Sequence, residues 1–104
     1  MRALWRDHVV ADSPDDRIVM IEGNRYFPPD TLERSMFHAS PTPYTCVWKG
    51  ECQYWTLRHS QGDPHDEAVD AAWSYPTPLP GAIERVGVDF SGYVAFGDEV
   101  TVLP

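Results

Sequence analysis

The stretch Tyr44-Thr45-Cys46-Val47-Trp48-Lys49-Gly50-Glu51-Cys52-Gln53-Tyr54-Trp55-Thr56-Leu57-Arg58 decides the fold. In its second half Gln53, Trp55 and Leu57 would share one face of an extended chain, and Cys52, Tyr54 and Thr56 the other. Tyr44 to Trp48 precedes it across a turn at Lys49-Gly50, so the spacing predicts a hairpin.

Strand signals recur on both sides of this hairpin. Val9 to Ala11 is a short strand closed by the turn residues Ser13-Pro14-Asp15-Asp16. Arg17 to Glu22 carries Ile18-Val19-Met20-Ile21, an unbroken apolar run that implies cover on both faces. Gly23-Asn24 then reads as a two-residue, Gly-first turn leading into Arg25-Tyr26-Phe27. Asp30-Thr31-Leu32-Glu33 has the form of a capping box and predicts a helical turn to about Arg34. Ser40-Pro41-Thr42-Pro43 and Gln61-Gly62-Asp63-Pro64 read as loop and surface turn, and Asp66 to Trp73 as about two helical turns. Pro76, Pro78 and Pro80 are expected to stop any further helix. Val86 to Phe90, Tyr93 to Phe96 and Val100 to Leu103 close the chain as strands. The expected class is mainly β: an antiparallel open sandwich or barrel with short helical turns and no helix beyond about three turns.

Composition agrees. A chain of 104 residues predicts one domain spanning 1–104, burying roughly 60–70% of its unfolded surface. Four Trp, five Tyr and four Phe supply core material, and ten Pro with seven Gly favour short elements. The net charge is −8, with Arg and Lys dispersed singly, which argues against nucleic acid as a partner. The N-terminus lacks an apolar signal core and no stretch approaches a membrane span, so a soluble, cytoplasmic protein is expected. Cys46 and Cys52 match no common zinc spacing and should be free thiols. His8, His38, His59 and His65 are scattered, and Asp63-Pro64-His65-Asp66 reads as a polar turn, so neither a metal nor a cofactor is expected.

Four blocks stand in order: Glu22-Gly23-Asn24-Arg25-Tyr26-Phe27-Pro28, Thr45-Cys46-Val47-Trp48-Lys49-Gly50, Ala71-Ala72-Trp73-Ser74-Tyr75-Pro76 and Val94-Ala95-Phe96. Together they resemble the bacterial and fungal family called domain of unknown function 427, over nearly the whole chain. Val47 stands where that family's block has proline. The resemblance implies a β-tent, two sheets packed at an angle as in Mss4-like proteins and the ligand-binding domain of cereblon. Many β-tents hold zinc with two Cys pairs, which this sequence lacks. The family brings no established activity. Its nucleotidyltransferase-like label finds no support, because no Gly-rich phosphate loop is present.

Lys49, the only lysine, is the leading candidate for chemistry. Beside aromatic groups a lysine can have a lowered pKa and act as a nucleophile, or stay charged and anchor an anion. The plainer alternative is an exposed turn lysine paired with Glu51 or Glu22. Glu22, at a strand end, is either a half-buried general base and Lys49 partner or a solvated carboxylate. Cys46 reads first as a small buried thiol and second as a nucleophile. Trp48, Trp55, Trp73, Tyr54 and Tyr75 either fill the core or wall a cleft.

Three functions follow as expectations. The first is a small-molecule binding module floored by Trp48, Trp73 and Tyr26, with Cys46 nearby and Lys49 and Glu22 as polar groups. The second is a small enzyme using Lys49 and Glu22, with Cys46 as a further candidate. The third is a protein-interaction domain using an apolar sheet edge.

Overall fold

The hairpin built on Tyr44 to Arg58 becomes the centre of the largest sheet in the computed structural model, which describes residues 1–59, 61–63 and 65–104. Strands β1 (Arg2–Trp5), β2 (His8–Asp12), β3 (Val19–Ile21) and β4 (Asn24–Tyr26) come first. The long strands β5 (Phe37–Cys46), β6 (Gly50–Arg58) and β7 (Glu67–Ser74) follow. Helix α1 (Pro80–Val86) and strands β8 (Val94–Phe96) and β9 (Thr101–Leu103) complete the chain. Among the described residues all pairings are antiparallel, in three sheets ordered β2-β1-β9, β3-β4 and β5-β6-β7-β8, and none closes into a barrel. The protein is mainly β, and α1, at seven residues, is its only α-helix among the described residues.

Two clusters form the core. One lies around Trp5, Val10, Phe27 and Leu57, the other around Ile21, Tyr26, Tyr75 and Phe90. Phe27 and Val94 exchange both backbone hydrogen bonds (2.8 and 2.9 Å), which fastens the β3-β4 hairpin to the margin of the large sheet.

Several elements differ from the sequence reading. Asp66 to Trp73 is no helix: Glu67–Ser74 is strand β7, paired to β6 on one side and β8 on the other. Ala68, Ala71 and Ala72 are favourable helix residues, yet their small side chains are buried against the bulky rings of a crowded core. Tertiary packing overrides local propensity here. Burial in β7 slips phase between Ala68 and Ala71, and Asp70 sits at the slip with φ +55°.

Val86 to Phe90 is no strand. Pro80, read as a helix stop, stands in the first turn of α1, where its missing N–H costs nothing, and Gly87 caps the other end at φ +91°. The turn between β3 and β4 falls one residue earlier than expected. Ile21 pairs with Asn24, so Glu22-Gly23 form the loop, both at positive φ (+53° and +82°) as in a type I′ turn.

Asp30 to Glu33 forms no capping box. Two 3₁₀ turns, Pro29–Thr31 and Arg34–Met36, occupy this region, and neither has a side-chain cap. Ser40 to Pro43 lies within β5, which is an edge strand and so tolerates Pro41 and Pro43; the register jumps there from Ala39 opposite Trp55 to Pro43 opposite Gln53. Strand β1 had no counterpart in the sequence reading. The turn expected over Gln61 to Pro64 falls partly outside the described residues; Gly62 N–H donates to His59 O at 3.1 Å.

Candidate functional site

Lys49 ends the Val47–Lys49 turn between β5 and β6, and Gly50 opens β6 at φ +112°. The Lys49 carbonyl accepts from Leu79 N–H at 3.0 Å, so the segment after Tyr75 folds back against this turn. The consequence is burial. The Lys49 side chain is only 7% exposed, which removes the plainer alternative of an exposed turn lysine.

Its ammonium lies 4.9 Å from the centre of the Tyr75 ring and 5.2 Å from that of Trp48. The hydrogen bond it donates goes to Glu22 Oε1, not to Glu51. Glu22 reaches it from the β3-β4 turn, a different hairpin, and its own side chain is 55% exposed. Glu22 is therefore the solvated end of the pair rather than a half-buried base. Arg85, in the last turn of α1, places its guanidinium carbon 4.5 Å from the Trp48 ring centre.

Behind the pair stand buried groups. Tyr26 is fully buried, and its Oη accepts from the Trp73 indole N–H at 3.1 Å. Cys46 is buried, Cys52 is half-buried, and both are free thiols. The six residues expected at the site are therefore brought together. Tyr26, Cys46 and Trp73 serve as packed core within the second cluster, while Glu22 and Trp48 reach its surface. Four surface grooves on the described residues are lined by other side chains.

Electrostatics sets the protonation states. Burial works against the Lys49 ammonium, but the hydrogen bond to Glu22 and the charges on Glu22 and on Tyr26 once it ionises outweigh it, and the Lys49 pKa lies above the ordinary lysine value. Of the two alternatives, a lowered pKa and a retained charge, the second holds, because Glu22 supplies a counter-charge at contact. The hydrogen bond from Lys49 holds the Glu22 carboxyl below its usual range, with smaller help from Trp48 and Arg85. Burial raises the phenols of Tyr26 and Tyr75 and the thiol of Cys52. At neutral pH the site holds the Glu22–Lys49 ion pair, neutral phenols behind it and the Arg85 guanidinium against the Trp48 ring.

Two contributors had not been weighed as site residues, Cys52 and Arg85, and Tyr75 had been weighed only as one of five aromatics that fill the core or wall a cleft. Tyr75 had a sequence signal, since it stands in the Ala-Trp-Ser-Tyr-Pro block. Arg85 had none, because its placement depends on a helix that the sequence reading took for loop and strand. Among the described residues no group of three or more His, Cys, Asp or Glu could hold a metal ion. No helix there is long and apolar enough to cross a membrane.

A small mainly-β scaffold that pins a lysine–glutamate pair against an aromatic cluster is the class that fold and site define. A family model described as a domain of unknown function (DUF427) matches residues 1–102, and the chain belongs to that family. A comparison with curated proteins found no match.

Proposed function

We propose that this domain is a small-molecule binding module whose polar contact point is the Glu22–Lys49 pair. One observation carries the reading: a buried ammonium, enclosed by two ring faces, spends its hydrogen bond on a carboxylate that is itself 55% exposed. An ammonium has three N–H donors, and an exposed partner is readily exchanged for a ligand oxygen. The ligand class that fits is a small planar molecule presenting a carbonyl or anionic oxygen to Lys49. It would enter on the Glu22–Trp48–Arg85 side, because Tyr26, Tyr75 and Cys46 are buried behind.

The enzyme reading gains less support. A raised pKa keeps Lys49 protonated, and an ammonium is no nucleophile. The test is a thermal-shift screen of metabolites on wild type, Lys49→Met and Glu22→Gln, with mass-spectrometric analysis of each hit. Ligands that raise the wild-type melting temperature but not that of Lys49→Met, without turnover, support the module. Product formation lost with Lys49→Met would replace it by the enzyme. Hits that act equally on all three proteins would overturn both.

A further inference from the structure

Away from the Glu22–Lys49 pair, β5, β6, β7 and β8 and the 3₁₀ turns Pro29–Thr31 and Arg34–Met36 border a groove of about 320 Å³. That volume is at the lower end of the ~300–1,000 Å³ spanned by ligand clefts. It shares no residue with the pair. Its walls are apolar: Leu32, Phe37, Trp55 and Val94 line it, with the Phe37 and Trp55 rings edge to face at 6.4 Å. Ser74, 2% exposed, also lines it; Ser74 Oγ accepts from the Trp55 indole N–H at 3.0 Å, which leaves the hydroxyl hydrogen to donate.

Arg34 is the only charged residue in the lining, in a protein of net charge −8. Among the described residues it makes no ion pair, only a 3.3 Å hydrogen bond to the Pro29 carbonyl. The nearest carboxylates in sequence are engaged elsewhere. Asp30 takes both arms of the Arg17 guanidinium (2.8 and 2.9 Å), and Glu33 accepts from Ser35 Oγ at 2.9 Å. An apolar, ring-walled groove with one free guanidinium at its rim complements a flat apolar anion.

We infer that this groove is a binding site for a small aromatic carboxylate, its ring against Trp55 and Phe37 and its carboxylate on Arg34. The probe is indole-3-acetate, with indole-3-acetamide as its uncharged isostere. Both are titrated into ¹⁵N-labelled protein while the Trp55 indole N–H resonance is followed, assigned with Trp55→Phe. A saturable shift with the acid is expected, weakened about tenfold or more for the amide and for Arg34→Gln. Arg34→Lys recovers part of the loss, and Lys49→Met leaves the affinity unchanged. Arg34 is exposed, so its variants keep the fold, which an unchanged spectrum elsewhere verifies. No saturable Trp55 shift, equal binding of acid and amide, or no effect of Arg34→Gln would overturn the inference. Binding abolished by Lys49→Met but not by Arg34→Gln would place the acid at the other site. The groove would then be excluded, and the reading of the Glu22–Lys49 pair would stand.

Discussion

Lys49 and Glu22, 27 residues apart, form an ion pair between the turns of two different hairpins, with the cation buried and the anion exposed. Losing the anion and losing the cation should therefore differ. Glu22→Gln leaves a buried ammonium uncompensated and should cost about 1–2 kcal/mol. That lies below the ~3–5 of a fully buried pair, because water screens the exposed carboxylate. Lys49→Met removes the charge that needed compensation and should lie within about 1 kcal/mol of wild type. Urea unfolding of both single variants and the double variant checks this. A double variant as unstable as Glu22→Gln alone would contradict it.

The same pair gives stability a two-sided pH dependence. The folded-state pKa of Glu22 is depressed, so its contribution is present above the ordinary carboxylate value of about 4.3. It is lost as pH falls through the lower folded value. The folded-state pKa of Lys49 is raised, so its contribution is complete below about 10.4 and lost as pH rises through the higher folded value. The difference in melting temperature between wild type and Glu22→Gln should be constant near neutrality and vanish at both extremes. A difference that persists unchanged to pH 2 would show that the glutamine perturbs the turn rather than the charge.

Asp70 combines two costs within β7. Its φ is +55°, and its buried Oδ1 has no hydrogen-bond partner among the described residues. Asp70→Gly relieves both, and keeps the backbone N–H that donates to Thr56 Oγ1 at 3.4 Å. A gain of about 1 kcal/mol is expected, read as a higher urea midpoint. A loss would mean that the carboxylate has a role in the bulge.

Helix α1 offers a paired test. At both Gly81 and Gly87 an added Cβ would meet nothing within 4 Å, but only Gly87 has a positive φ, +91°. Gly87→Ala should cost about 1 kcal/mol in backbone strain, whereas Gly81→Ala should gain up to about 1 kcal/mol from helix propensity. Thermal unfolding of the two variants separates them. Shifts of the same sign would contradict this account of the cap.

The legible parts of the sequence were those whose pattern and tertiary use coincide. The alternation from Cys52 to Leu57 survives as β6, and the apolar run before Glu22 as β3, but without the cover expected on both faces: Ile21 is buried while Met20 is 57% exposed. The Glu22–Lys49 contact was one of two pairings open to Lys49. Its asymmetry was hidden, because burial of Lys49 depends on Leu79 and Tyr75 returning across the turn. Strand β7 was illegible for a physical reason: alanine favours a helix locally, while a crowded core selects it for size. Helix α1 was legible but misread, since Pro80 and Gly87 stand where a short helix wants them. The Arg34 groove joins residues from four separate segments, so no local pattern announces it.

Pro41 and Pro43 have an effect beyond the register jump in β5. A proline offers no N–H, so this margin of the large sheet lacks two of the donors that an incoming strand would need. The opposite margin, at β8, is engaged through Val94 by Phe27. Neither side is a ready template for strand addition. Copies of this chain meeting in a crowded solution are thereby discouraged from zipping together along the margins of this sheet.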